Sequence, residues 1–345
     1  MKKSIKEILQ ETFEEKHGEW KYYSGSDFPK DIPLYSEVES RTFIKLFIKF
    51  SGKESFKFTK LIDKLGDRAI HVVSAFLLGH YIYNNTIFKN RIDDIINNLK
   101  ESLGLQSNVT FSFMWFLTCL FHDIGFNMEI NEFKYCTFEN FENSNRKMPK
   151  ISGVPILYEK VYPKYFKYRI KEHCKNDHGI MMGHIMYHEL CRLRRYFEKT
   201  EKSAHLSWEK NLENIYAYCA WNILAHNIWY CNKDKACDEE IYENYGLQDL
   251  ILGKDEDKYK IKFEEHPFFF LFCLVDTIEP YKRVLDFDSL DKVYLELDNE
   301  TIRISTDLKC NCGKEIIKQA NSLNDWLTQV TKDENVVNIS IINKK

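Results

Sequence analysis

The spacing of apolar residues limits what this chain can fold into more than any other feature of its sequence. Between positions 36 and 50, Val38, Phe43, Phe47 and Phe50 recur at helical intervals. This spacing predicts an amphipathic helix, whose apolar side chains lie on one face. On the same grounds we predict helices at 67–84, 109–122, 178–199, 206–230 and 266–283. The chain has only 13 glycines and 7 prolines among 345 residues, which also favours long helices over many short strands and turns.

The sequence divides into three parts, of which the middle one carries most of the helical pattern. Residues 1–35 are mixed and aromatic-rich and include the stretch SGSDFPKDIP, so we predict an N-terminal arm with a short helix. Residues 36–284 are predicted to form a mainly α-helical bundle. Residues 285–345 contain two alternating runs around a turn, a helical stretch and a β-branched run. They are predicted to form a small α+β appendage.

One long segment within the helical part does not fit the helical pattern. Residues 127–171 are polar and aromatic and contain prolines at 149, 155 and 163. A stretch of this length without secondary structure is uncommon in a compact domain. We therefore interpret it as an insertion that either closes over a site as a lid or contains helices that its pattern does not reveal.

Charge and cysteine content argue against several classes of protein. The net charge is −3 and the sequence contains no evident basic stripe, so a nucleic acid or membrane partner is not expected. No apolar run is long enough to cross a bilayer, and the N-terminus lacks the apolar core of a signal peptide. The ten cysteines suggest no disulfide framework, so we expect reduced thiols and a cytoplasmic location. A homo-oligomer remains open.

The residues that could carry chemistry are histidines and aspartates within the apolar helical stretches. His122 and Asp123 are adjacent in the sequence FHDIG, which places an imidazole nitrogen beside a carboxylate that could bridge two cations. Histidine in such surroundings is costly unless it is hydrogen-bonded or bound to a metal. The chain contains four more candidates with apolar helical flanks: His71, His178, His226 and Asp276.

Several of these residues also have a simpler interpretation. His122 could end a helix beside a capping aspartate, His178 could begin a helix capped by Asp177, and His226 could be a core histidine. Asp276 could be a surface residue paired with Lys282 or Arg283. The run FFFLFCLV before Asp276 nevertheless argues for its burial.

Other histidines and cysteines give weaker signals. His80 competes with His71 as a ligand, but nine residues at about 100° per residue turn it to the opposite face. His184 and His188 lie four residues apart on one helix face, which suits zinc, but the glutamate of a His-Glu-x-x-His motif is absent. The cysteines at 231, 237, 310 and 312 are treated as structural.

The order of these residues resembles the HD superfamily of metal-dependent phosphohydrolases. That family has a helical histidine, then His-Asp, then one or more further histidines, and a late aspartate on the last core helix. The resemblance covers about residues 36–284 and implies an all-helical core that holds one or two divalent metals. We favour two metals bridged by Asp123, with Mn, Fe, Ni, Co or Zn preferred and Mg also admissible. The implied ligands are His71, His122, Asp123, His178, His226 and Asp276.

The resemblance implies that the chain hydrolyses a nucleotide or cyclic nucleotide phosphoester with a metal-activated water. His184 and Lys175 are the candidates for protonating the leaving group, and Arg68 and Arg283 are the candidates for contacting phosphate. Family members that cleave cyclic di-GMP carry a lysine after His-Asp-x-Gly, where this chain has Phe126, so that activity is not expected. The alternatives are a catalytically silent nucleotide sensor or scaffold and a single-stranded nuclease.

Overall fold

The chain is mainly α-helical, as its apolar spacing predicts. A computed structural model describes residues 2–15, 20, 23, 25–106, 108–131, 138–200, 209–231, 236–252, 260–284, 286–297, 301–327 and 338–341. The helices are α1 (Ile5–Glu15), α2 (Glu37–Phe50), α3 (Phe56–Asp63), α4 (Arg68–Asn85), α5 (Phe88–Leu103), α6 (Phe111–Cys119), α7 (Met128–Asn131), α8 (Phe138–Asn143), α9 (Ile156–His173), α10 (His178–Thr200), α11 (Leu212–His226), α12 (Ala236–Asn244), α13 (Pro267–Ile278), α14 (Tyr281–Val284) and α15 (Asn311–Trp326). The described part of the chain contains no helix that is long and apolar enough to cross a membrane.

Three helices that carry apolar residues all round form the centre of the bundle. Every residue of α13 is buried, as is every residue from Ala69 to Tyr83 of α4. Helix α11 is also almost wholly buried. A helix that is apolar on all sides has to be covered on all sides. Polar residues on these three helices are therefore forced into the interior, which is where the predicted site residues lie.

Side-chain caps explain where several helices begin. The hydroxyl of Ser36 accepts a hydrogen bond from the backbone N–H of Glu39 at 3.2 Å. Ser55 and Thr110 cap α3 and α6 in the same way. Such caps satisfy backbone donors that have no partner within the helix.

The predicted C-terminal hairpin is present, and the sheet that contains it includes the N-terminus. The strands are β1 (Lys2–Ser4), β2 (Val293–Leu297), β3 (Thr301–Thr306) and β4 (Asn338–Ile341), in the order β1-β2-β3-β4. Strand β1 pairs with β2 antiparallel, β2 with β3 antiparallel and β3 with β4 parallel. The two ends of the chain therefore share one small sheet. Because these strands lie far apart in the sequence, local pattern does not predict that they pair.

The segment at 127–171 contains helices, including the 18-residue α9. Pro155 stands directly before α9, where a proline is tolerated, but Pro163 lies inside it. The helix continues because one face, with Leu157, Tyr165 and Phe166, is buried in the core. A lid function is a prediction that this geometry does not test.

One expectation about the cysteines is wrong. Cys310 and Cys312, treated above as reduced thiols, are joined by a disulfide. Their Cα atoms lie 5.3 Å apart, which is within the usual span of such a bond. Among the described residues, the thiols of Cys119, Cys174, Cys191, Cys219 and Cys273 are free.

Candidate metal centre

The six predicted ligands converge inside the helical bundle. His71 lies on α4, Asp276 on α13, and His122 and Asp123 in the turns that follow α6. His178 is the first residue of α10 and His226 the last residue of α11. All six are buried. Residues separated by more than 200 positions thus meet because five segments, from α4, α10, α11, α13 and the turns after α6, come together at one point.

Two of the histidines are oriented by backbone carbonyls. Nδ1 of His122 donates a hydrogen bond to the carbonyl oxygen of Cys119 at 2.6 Å. Nδ1 of His226 donates to the carbonyl oxygen of Ile223 at 2.5 Å. A proton on Nδ1 leaves the lone pair on Nε2, so each ring is set to bind through Nε2.

The other two histidines are oriented by buried glutamates. Nδ1 of His71 lies 2.6 Å from Oε2 of Glu279, and Nδ1 of His178 lies 2.5 Å from Oε1 of Glu129. Such carboxylate–histidine pairs commonly stand behind metal-binding imidazoles and raise their basicity. The sequence analysis missed both glutamates. Glu279 lies three residues after Asp276 on the same buried stretch, which was an available signal.

The first group of ligand atoms has the separations expected around one metal ion. Nε2 of His71 lies 3.3 Å from Nε2 of His122 and 3.1 Å from Oδ1 of Asp276, and Nε2 of His122 lies 3.4 Å from the same oxygen. Atoms bound to one metal at about 2.1 Å lie about 3.0 Å apart in octahedral and about 3.4 Å apart in tetrahedral coordination. These residues could therefore hold a metal ion.

A second group shares Asp123 with the first. Oδ1 of Asp123 lies 3.0 Å from Nε2 of His178, and its Oδ2 lies 3.8 Å from Nε2 of His71. The ligand atoms of Asp123, His178 and His226 all lie within 4.8 Å of one another, as do those of His71, His122 and Asp123. Oδ1 of Asp123 also lies 3.7 Å from Nε2 of His122, so the carboxylate of Asp123 is within reach of both groups.

Two glycines allow the helices of the second group to meet. A Cβ atom on Gly183 would lie 2.6 Å from the carbonyl oxygen of Ala220, and one on Gly179 would lie 3.0 Å from Cε1 of His226. Both glycines lie on the same face of α10 because they are four residues apart. Their small size lets α10 contact α11 closely enough to bring the rings of His178 and His226 to 5.2 Å.

The charges of the cluster hold its carboxylates ionised. Burial opposes ionisation of Asp123, but His122, His178 and Lys282 keep its pKa well below the ordinary value. Burial likewise opposes ionisation of Asp276, and Lys282, His122 and His71 keep its pKa well below the ordinary value. Ionised oxygens in an apolar interior bind cations strongly. The site is thus electrostatically suited to a divalent ion.

The pKa values of the two histidines of the second group are shifted in opposite directions. Burial and the neighbouring His178 and His122 lower the pKa of His226 to about 3. Burial disfavours the charged form of His178 as well, but the carboxylates of Asp123 and Glu129 outweigh it and raise its pKa to about 10. At neutral pH, His178 is therefore an imidazolium in the absence of a metal.

This difference predicts that metal binding releases protons. A metal can take the lone pair of Nε2 of His178 only after the imidazolium has lost a proton. We expect release of about one proton per second-group metal at pH 7, and an affinity that rises as the pH approaches 10. Titration calorimetry of Mn²⁺ in buffers with different ionisation enthalpies measures this directly. Identical heats in all buffers would contradict the assignment.

Three partly exposed cationic side chains lie beside the cluster. Nζ of Lys282 donates to Oδ1 of Asp276 at 2.8 Å, and Nη1 of Arg68 lies 3.5 Å from Oδ2 of Asp123. The Arg68 guanidinium also stacks 4.2 Å from the ring of Phe126. Arg283 donates to the backbone oxygen of Glu279 at 3.0 Å. Asp276 is thus buried, so the interpretation of it as a surface residue is wrong, although the predicted pairing with Lys282 is present.

The structure does not bring the two predicted proton donors to the cluster. His184 is 1% exposed and is enclosed by the rings of Phe138, Phe141 and Tyr162. Burial lowers its pKa to about 4, so at neutral pH it is a neutral imidazole and a poor proton donor. Lys175 is exposed in the loop between α9 and α10.

The other candidate histidines, His80 and His188, also lie away from the cluster. The ring of His80 packs against Phe76 and Phe111 in the core. Nδ1 of His188 accepts a hydrogen bond from the backbone N–H of Arg146 at 3.1 Å. Asp177 accepts from the backbone N–H of Ile180 and so caps α10, as one alternative proposed, while His178 beside it still faces the cluster.

Comparisons with known proteins give no family for this chain. No protein-family model matches it, and neither the curated proteins nor the solved structures contain a significant match. The function proposed below is therefore based on the geometry of the cluster.

Proposed function

We propose that this chain is a metal-dependent phosphohydrolase of the HD type, acting on a nucleotide or cyclic nucleotide phosphoester. The supporting observation is the convergence of four imidazole Nε2 atoms on two ionised aspartates, with every Nδ1 atom already hydrogen-bonded. Neutral imidazole and carboxylate ligands suit Mn, Fe, Co, Ni and Zn. Two such ions supply an activated water and neutralise phosphoryl charge when bound.

The residues around the cluster favour an anionic substrate. Lys282 and Arg68 contact the buried carboxylates of Asp276 and Asp123, and Arg283 donates to the backbone oxygen of Glu279. The side chains of Lys282 and Arg68 are 20% and 28% exposed, so each can contact a ligand without leaving its aspartate partner. Phosphate is the anion that a guanidinium and an ammonium group recognise together.

In this proposal the residues in and around the cluster have different roles. Asp123 would hold both metals, and Glu279 and Glu129 hold His71 and His178 in binding orientation. Arg68 and Lys282 bind the non-bridging phosphoryl oxygens and orient the ester. Lys282 replaces His184 as the donor nearest the reacting centre, because His184 has no route to it through the surrounding rings.

Metal-dependent hydrolysis tests the proposal. The purified chain, stripped with chelator and reloaded with Mn²⁺, is assayed on p-nitrophenyl phosphate, bis(p-nitrophenyl) phosphate and a panel of nucleotides and cyclic nucleotides. We expect turnover only after reloading. His71→Ala should reduce it at least about a hundredfold, since a ligand is lost. His173→Ala is the matched control, because His173 is exposed and contacts Tyr168 instead of the cluster.

The possible results separate the alternatives. Metal and nucleotide binding without turnover of any substrate would support the silent sensor and overturn the hydrolase. An absence of bound metal after reloading would overturn both.

A further inference from the structure

Between positions 160 and 171 the exposed residues of α9 are all positively charged, and the exposed Glu172 follows directly after them. Every exposed position of α9 from 160 to 171 is a lysine, and we call these four residues the lysine face: Lys160, Lys164, Lys167 and Lys171. The buried positions of the same helix are apolar or aromatic. No basic stripe is evident in the sequence, because other residues, including tyrosines, a phenylalanine and a proline, separate the four lysines. Only the helical arrangement through Pro163 brings them to one side.

The four lysines form a nearly straight row. At about 100° and 1.5 Å per residue, positions 160, 164, 167 and 171 fall within an arc of about 60° and span about 16 Å along the helix axis. Successive lysines are thus separated by roughly 5–6 Å along the axis. A row of this kind can follow the backbone of a single extended polyanion.

The charge of this row is poorly compensated. Among the described residues, Lys160, Lys167 and Lys171 form no ion pair, and Lys164 donates to the backbone oxygen of Gly246 at 3.1 Å. Like charges spaced three or four residues apart destabilise a helix by about 0.2–0.5 kcal/mol per pair. A face that serves only solubility usually mixes both signs. The uniform charge therefore calls for a partner.

Two grooves flank the lysine face. One, of about 500 Å³, is lined by Lys164, Lys167 and Lys171 together with Asn244 and Tyr245, and Glu172 is its acidic residue. The other, of about 350 Å³, is lined by Lys160 and by two further lysines, with Asp249 and Glu265 as its acidic residues. Lysines therefore outnumber carboxylates in both grooves, and Tyr245 offers a ring beside the row.

The row leads to the candidate metal centre. Helix α9 ends at His173, and after the exposed Lys175 the chain reaches the candidate ligand His178. Arg169, on the inner side of α9, contacts Glu129, which orients His178. The lysine face and the loop next to the cluster are therefore adjacent along the chain, with the exposed Glu172 between Lys171 and Lys175.

We propose that the lysine face docks a single-stranded nucleic acid through its phosphate backbone. One row of cations fits one flexible strand, whereas a duplex presents two backbones and needs a broader surface. Adjacency along the chain to a site proposed to act on phosphoesters favours nucleic acid over an acidic protein. The docking goes beyond the proposed function and requires neither bound metal nor turnover.

Binding of labelled oligonucleotides to the full chain tests this proposal. Fluorescence anisotropy is measured with a 20-nucleotide oligo(dT) and the matching oligo(U), in chelator, at several salt concentrations. We expect binding that weakens with salt. In the variant Lys160→Gln/Lys164→Gln/Lys167→Gln/Lys171→Gln, affinity should fall about tenfold or more and the slope of log K against log salt should drop by about 3.

The control variant removes the same charge elsewhere. Lys49, Lys60, Lys314 and Lys318 are exposed on other helices, and their replacement by glutamine should leave most of the affinity intact. Equal loss in both variants would reduce the effect to net charge and overturn the proposal. Equal or tighter binding of poly-glutamate at the lysine face would assign it to an acidic protein instead. Asp123→Ala should bind oligonucleotide like the wild type, so a failure of the metal site would not be mistaken for a failure of docking.

Discussion

Replacement of Asp123 by alanine is expected to remove both metals and to abolish phosphoester hydrolysis. Asp123 belongs to both ligand groups, since Oδ1 lies 3.0 Å from Nε2 of His178 and Oδ2 lies 3.8 Å from Nε2 of His71. Each metal contributes several kcal/mol of charge stabilisation, so the rate should fall by roughly a thousandfold or more. Elemental analysis of wild type and variant, beside the hydrolysis assay, measures both effects.

The same substitution should leave the helical fold in place. Asp123 is paired with His178 and Arg68, and the side chain of Arg68 is 28% exposed, so solvent can reach its charge when the carboxylate is removed. His226→Ala is the informative comparison, because His226 belongs to the second group alone. It should cost about one equivalent of metal. Retention of two equivalents in Asp123→Ala would show that Asp123 does not bridge.

Replacement of Gly183 by valine is expected to separate α10 from α11, so that the second group of ligands no longer binds a metal. The new side chain would place Cβ 2.6 Å from the carbonyl oxygen of Ala220 and 3.0 Å from Cβ of Leu224. A backbone carbonyl within a helix cannot move aside as a flexible side chain can. We expect a loss of about 1–3 kcal/mol in the free energy of unfolding. The spacing of His178 and His226 should widen with the helices.

Urea unfolding and metal content together test this prediction. The second-group metal should be lost while the first, held by residues of other elements, is retained. Lys199→Val, at an exposed position of the same helix, shows how much of the effect comes from a β-branched residue alone. Wild-type stability with full metal content in Gly183→Val would disprove the close-contact role of this glycine.

The helices and the ligand set follow from local features of the sequence. Apolar residues at helical spacing place α2, α4, α10 and α13 close to where they are found, because burial of one face is a property of each segment by itself. The six candidate ligands stand out because charged or imidazole groups in such segments require partners. Whether these ligands bind metal remains a prediction for the experiments above.

Other features depend on contacts between distant segments, and local pattern does not encode them. Strand β1 joins β2 across almost the whole chain, and Glu129 and Glu279 become orienting residues only where α7 and the end of α13 approach the histidines. Helix α9 continues through Pro163 because its buried face is packed into the core, and that continuity alone creates the lysine face. Sequence by itself determined which residues must be buried together; tertiary packing decided which atoms face one another, because orientation is set by neighbours that lie far away in the chain.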